Sequence, residues 1–281
     1  MKQNNQVLKN IIDLIGNMRA ERPLVECLTN RVTINDCANM LLAMGASPIM
    51  AEIEEEMPDI MKISDALVIN LGLLDTPYLA AMKTAAKAAK EQGKPIVLDP
   101  VGAGASALRD RIDAEMIELV RPDIIRGNLS EIKSLAGAQI NSKGVDASAD
   151  DAVTQDNYSE AGELVRAYAE KCGCVVCATG AIDIVSDGEQ TIYIRNGHEM
   201  LCDVTGTGCM CSAMTGAMAA AGDMLTAAAA AVVMLGIAGE YAHESVAGAG
   251  QGIGTFRVKL LDYIYNMTDE DFIKRGEVYS E

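Results

Sequence analysis

The stretch Asp203-Val204-Thr205-Gly206-Thr207-Gly208-Cys209 carries the strongest chemical signal in the sequence, because an Ala- and Met-rich helical pattern follows it at once. Glycines there let backbone approach a ligand closely. Amides crowning a helix N-terminus, together with the helix dipole, form a site suited to an anion such as a transferring phosphoryl group. The same residues also make an ordinary glycine-rich turn into a buried helix, and taken alone they leave both readings open. Other nucleotide signatures fail. No stretch fits G-x-x-x-x-G-K-[ST], and Gly248-Ala249-Gly250-Gln251-Gly252-Ile253-Gly254 lacks both the spacing of G-x-G-x-x-G and a strand before it. Cys174-Val175-Val176-Cys177 has C-x-x-C form, but no second ligand pair stands downstream, and a strand would point the two thiols to opposite faces. Packing is the better reading. With only His198 and His243, a Ser/His/Asp hydrolase has little scope, although His198 in the Asn196-Gly197-His198 turn remains a residue for a site edge.

Positioning such a loop requires a scaffold, and the sequence alternates short apolar runs with longer helical patterns. PLVECL, SPIM, ALVINL, PIVLD and CVVCAT read as buried strands. Between ALVINL and PIVLD, Asp75-Thr76-Pro77 supplies a cap and a first-turn proline. Leu79, Met82, Ala86 and Ala89 make one face of that helix, the lysines at 83, 87 and 90 make another, and Gly93 ends it. Repetition of this unit predicts an α/β fold: a central, mostly parallel sheet with helices on both faces and ligands beyond the carboxyl ends of the strands. AIDIVSD and TIYIRNG read as a hairpin, Gln139 to Asn157 as an acidic surface excursion, and FRVKLLDYIYNM as an amphipathic helix. Residues 1–22 read as an N-terminal helical segment and 268–281 as a solvated acidic tail. The whole of 1–281 reads as a single domain, since no Pro/Ser-rich linker divides it. Met210, Met214 and Met218, at helical spacing, read as core.

The 40 acidic against 23 basic residues give a formal net charge of −17, which opposes nucleic acid and anionic membrane. Bound ATP would therefore need local compensation by arginine, amides or metal. The N-terminal residues lack the uninterrupted apolar run of a signal peptide. The Ala-rich stretch from Thr226 to Gly239 is shorter than the ~20 residues that cross a bilayer and reads as a buried helix. Eight cysteines then imply reduced thiols and a cytoplasmic location.

The Gly206 to Cys209 loop resembles the anion hole of the ribokinase-like kinases, and Asn128-Leu129-Ser130-Glu131 resembles their N-x-x-E motif. Further segments resemble one branch, the hydroxyethylthiazole kinase family. They are LTNRVTINDCANMLLAMGASPIM from Leu28, VLDPVGAGAS from Val97, IIRGNLSEI from Ile124, ATGAIDIVSDG and DVTGTGC. The likeness runs from about Pro23 to the FRVKLLD helix. It implies a single ribokinase-like domain that phosphorylates the primary alcohol of a hydroxyethylthiazole in thiamine biosynthesis, with Mg2+ and with ATP as co-substrate. It also implies a homotrimer with sites at subunit boundaries.

The resemblance carries roles to individual residues. Asn30, Val32 and Met50 match thiazole-contacting positions, and Gly206 would touch the substrate through its backbone. Arg126 and Thr179 match nucleotide-contacting positions, the guanidinium being the cation an acidic protein needs beside triphosphate. Asp99 and Glu131 are hard oxygen donors for magnesium, directly or through water. Thr207, Gly208 and Cys209 form the catalytic loop. Many ribokinase-like kinases have aspartate after the loop where this chain has Cys209, and in that respect it resembles the thiazole kinases. At the helix N-terminus the Cys209 thiol is expected to have a lowered pKa. Glu26 and Arg31 also depart from the family's early motif, where histidine and an uncharged residue are common. Two alternatives stand beside this reading: a hydroxymethylpyrimidine or pyridoxal alcohol kinase, and a nucleotide-dependent dehydratase that repairs hydrated NAD(P)H.

Overall fold

The computed structural model describes residues 2–137 and 157–280, so the acidic excursion lies outside the described residues apart from Asn157. The five apolar runs become the strands β2 Leu24–Leu28, β3 Ser47–Ile49, β4 Ala66–Asn70, β5 Ile96–Asp99 and β7 Val175–Thr179, and two strands outside those runs join them, β1 Lys2–Gln3 and β6 Ile124–Asn128. The hairpin forms as β8 Asp183–Ser186 and β9 Thr191–Ile194, and β10 spans Val278–Ser280. Among the described residues they make one ten-stranded sheet of order β1-β10-β9-β8-β7-β6-β5-β4-β2-β3. From β3 to β7 all neighbours are parallel, and beyond β7 they are antiparallel.

Alternation along the strands sorts the helices into two layers. Val25, Cys27, Val68, Val97, Ile124 and Cys177 face a core built from α1 Asn5–Glu21, α2 Ile34–Met44, α8 Thr207–Ala221, α9 Met224–Val246 and α10 Ile253–Asn266. Leu67, Ile69, Ile96 and Leu98 face α3 Met57–Ile63, α4 Thr76–Glu91 and α5 Ala107–Val120. Ile125, Val176 and Ala178 face α6 Leu129–Ala136 and α7 Tyr158–Cys172. Cys174 and Cys177 do fall on opposite faces. Helix α4 begins as read, with Asp75 accepting from the Tyr78 amide, and Met82, Ala86 and Ala89 are buried.

Two expectations change. Of the expected solvated tail 268–281, the described part, 268–280, is folded: α11 Asp269–Arg275 carries a Thr268/Asp271 capping box, Phe272 and Val278 are fully buried, and β10 pairs with both β9 and β1. Its acidic residues sit in the first helical turn, where the macrodipole favours negative charge. The Ala-rich helix is also longer than read. At 23 residues α9 could span a bilayer by length and composition, yet 78% of its most apolar window is buried inside the protein. It is the central core helix, under α8 and α10.

Helix α8 lies unusually close to the sheet. A Cβ on Gly216 would collide with Val68 and stand 3.2 Å from Val25, so only a small residue lets the helix settle over β2 and β4. That approach brings the N-terminus of α8 to the carboxyl ends of the parallel strands.

Candidate active site

The glycine-rich loop ends as its sequence implies. Gly206 is the N-cap of α8 with φ +87°, a left-handed conformation that glycine adopts freely. A Cβ there would also strike Thr33, so the chain after β2 is packed directly on the loop. Thr207 Oγ1 donates to the Leu201 carbonyl at 2.9 Å and steadies the approach from the other side. The first-turn amides of Thr207, Gly208 and Cys209 have no carbonyl partner within the helix and present donors at its head.

The polar residues at the strand ends meet this loop. Asn70 and Asp99 lie opposite each other in the β4–β5 register. Asp99 Oδ2 accepts from Asn70 Nδ2 at 2.8 Å and from Ser212 Oγ at 2.7 Å. The Asn70 and Asn30 amide nitrogens lie 3.2 and 3.3 Å from the Cys209 sulfur, and Asn30 also donates to Asn70 Oδ1. Cys209 is thus seated among hydrogen-bond donors with Asp99 behind them.

On the other side, Arg126 Nη2 donates to Thr179 Oγ1 at 2.7 Å, and a Cβ on Gly208 would stand only 2.9 Å from Arg126 Nη1. The guanidinium therefore lies against the anion loop. Its Nε is buried with no partner, a donor short of an acceptor. Glu131 closes a capping box at the start of α6. Its Oε2 accepts from the Asn128 amide at 2.7 Å, and its Oε1 accepts from the Gly102 amide at 2.8 Å.

Burial governs the ionisation of this cluster. It pushes the Glu131 carboxyl up to about 7, and the nearby Asp99 charge adds to the rise. Asp99 is likewise raised by burial, against the pull of Arg126, Ser212 and Asn70. The Cys209 thiol is raised rather than lowered, first by burial and then by the charge of Asp99. The helix N-terminus favours a thiolate, but a mostly buried sulfur beside a carboxylate feels the opposing effects more strongly.

The structure therefore joins Asn30, Gly206, Gly208 and Cys209 to Asp99, Arg126, Thr179 and Glu131. Val32 belongs to the same turn, its amide donating to Asn30 Oδ1, but its side chain is 73% exposed. Met50 follows β3 and is packed against the core that holds α2 and α8. Arg31 points outward to Asp75 at 3.5 Å, while Glu26 is fully buried on β2 with Oε1 unpartnered. Asn70, Ser212 and Thr33 were not picked out in the sequence. Asn70 carries the same signal as Arg126, a polar residue directly after an apolar run. Ser212 is hidden in a helix that reads as core.

Amides at the head of a buried helix, facing polar residues on the carboxyl ends of parallel strands, define an α/β phosphotransferase of the ribokinase-like class. The chain belongs to the hydroxyethylthiazole kinase family, whose model matches residues 15–270. It is 43% identical to the hydroxyethylthiazole kinase of Ruminiclostridium cellulolyticum over 275 residues, covering 98% of each chain. The solved structure of the Pyrococcus horikoshii hydroxyethylthiazole kinase superposes with a TM-score of 0.87 at 41% identity, over 97% of this chain and 99% of that one. A Staphylococcus aureus pyridoxal kinase in complex with ADP shares the fold at a TM-score of 0.58 and 15% identity, over 77% and 87% of the two chains.

Proposed function

We propose that this chain transfers the γ-phosphoryl group of ATP to the primary alcohol of a hydroxyethylthiazole, as a step of thiamine biosynthesis. The observation that carries the reading is the seat of Arg126 against Gly208 at the head of α8, with Asn70, Asp99 and Cys209 on the other side of the loop. Arg126, with Thr179, is the cation that draws triphosphate to an acidic protein. The amides of Thr207 to Cys209 would stabilise charge on the transferring group, while Asn30 and the Gly206 backbone orient the alcohol for in-line attack. Such a transfer has a loose transition state and needs little early proton removal, so a protonated Cys209 suffices.

Magnesium fits the donor set in one way. Among the described residues no three His, Cys, Asp or Glu side chains gather into a metal site. Both Glu131 oxygens are already committed to amides, so Asp99 and Glu131 would hold the ion through water rather than by a closed protein cage. Two buried carboxylates with raised pKa values favour a nearby cation. The ion, when bound, neutralises phosphate charge.

We further place the active form as a cytoplasmic homotrimer with Met50 and Val32 lining the thiazole. Eight free cysteines support a reducing compartment, and an apolar Val32 left 73% exposed beside Asn30 supports a boundary with another subunit. No observation favours the pyrimidine, pyridoxal or dehydratase alternatives. Comparing kcat/KM for hydroxyethylthiazole, hydroxymethylpyrimidine and pyridoxal with Mg-ATP tests the assignment. The thiazole alcohol should lead, and a clear preference for either other alcohol would reverse it.

A further inference from the structure

Arg109, in the first turn of α5, lies outside every motif discussed above. Its Nη1 donates to the carbonyl oxygens of Leu71 at 2.9 Å and Val101 at 2.7 Å, and its Nη2 lies 3.4 Å from that of Gly72. These acceptors belong to two separate loops. Leu71 and Gly72 follow Asn70 at the end of β4, and Val101 stands two residues beyond Asp99 at the end of β5. Each loop also touches a polar side chain of the site. The Gly72 amide donates to Asn70 Oδ1 at 3.0 Å, and the Gly102 amide donates to Glu131 Oε1 at 2.8 Å. Gly102, at φ +77°, is pressed on Arg109 so closely that a Cβ would stand 3.2 Å from its Nε.

Charge pairing does not explain this arrangement. Asp113 on the same helix lies close enough to feel the Arg109 charge, yet its Oδ2 is buried with no partner. The guanidinium leaves that oxygen unpaired and spends its fork on three backbone carbonyls. Arginine suits the task because its planar donors reach several acceptors at once, whereas a lysine ammonium is a single point.

We infer that Arg109 is a positioning residue for phosphoryl transfer, clamping the β4 and β5 loops so that Asn70 and Asp99 keep their spacing from Cys209 and Glu131. The inference rests on the phosphotransferase reading of that site. It assigns Arg109 no contact with substrate.

The test compares Arg109→Lys and Arg109→Met with the full-length enzyme, using Asp99→Asn as a control for the site itself. Both Arg109 variants keep a long stem to pack beside Gly102. Arg109→Lys is expected to melt near the wild-type temperature, to lose kcat on the order of 10- to 100-fold, and to keep KM for ATP and the alcohol nearly unchanged. Arg109→Met should lose more kcat than Arg109→Lys. A folded Arg109→Lys with wild-type kcat overturns the inference, as does a loss of activity that merely tracks the unfolded fraction. If Asp99→Asn is also fully active, the site reading has failed. If Asp99→Asn is crippled and Arg109→Lys is not, only the clamp is wrong.

Discussion

Asn70 Nδ2 stands 2.8 Å from Asp99 Oδ2 and 3.2 Å from the Cys209 sulfur, so one amide group ties the end of two strands to the first turn of α8. Replacing it with alanine removes a donor from a buried carboxylate, a loss of about 1–3 kcal/mol that converts to a roughly 5- to 150-fold change in an equilibrium. Asn70→Ala should therefore lower kcat by about that factor. Steady-state kinetics on folded enzyme check this, and an unchanged kcat would remove Asn70 from the site.

Cys209 tests the protonation argument. Because burial and Asp99 raise its pKa, iodoacetamide should modify it slowly at neutral pH, and more slowly than an ordinary exposed thiol. Cys209→Ala should reduce turnover only partially. Cys209→Asp should keep or raise it, since the Asn30 and Asn70 amides can donate to a carboxylate. If both variants are dead though folded, the thiol is essential and direct transfer without it is wrong.

Gly208 marks where nucleotide affinity should break. A side chain at this position meets Arg126 Nη1, so Gly208→Val should displace the guanidinium and block approach to the amides. Its loss of kcat/KM for ATP should exceed that of Cys209→Ala by at least about tenfold, taking removal of one anion-stabilising donor as 100- to 1,000-fold. Nucleotide titration by calorimetry together with kinetics would reveal it. A Gly208→Val enzyme binding ATP normally contradicts the placement.

The buried acids make a prediction about stability. Glu26, fully buried with one oxygen unpartnered, is raised to about 8 by burial, whereas unfolded chain releases this proton near the ordinary 4.5. Between those values the folded state holds more protons than the unfolded state, so this contribution to stability is present at low pH and lost as pH rises. Wild type should lose thermal stability from pH 5 to pH 8 more steeply than Glu26→Gln. Parallel melting curves against pH would deny the burial argument.

Much of this arrangement was legible in the residues. The apolar runs gave their strands because parallel strands buried on both faces need no polar alternation, and the Gly206 to Cys209 loop became a helix head. The tail was misread because Phe272-Ile273 and Val278-Tyr279 are only short apolar pairs among charges, and the burial of Phe272 and Val278 depends on α1, α9 and β9 arriving from elsewhere. The pKa of Cys209 was misread for a related reason. A helix terminus is visible in sequence, whereas the burial that raises the thiol, and the charge of Asp99 from 110 positions away, arise only in the fold. Arg109 gave no signal, since its partners are backbone carbonyls.

The central claim is that the γ-phosphoryl group of ATP passes directly to the thiazole alcohol. The most direct measurement supplies magnesium and ATP with an oxygen-labelled γ-phosphoryl group, then reads the product by mass spectrometry. The account predicts a hydroxyethylthiazole monophosphate that carries the transferred label, with ADP in equal amount. Labelled inorganic phosphate and ADP without the phosphorylated thiazole would contradict it.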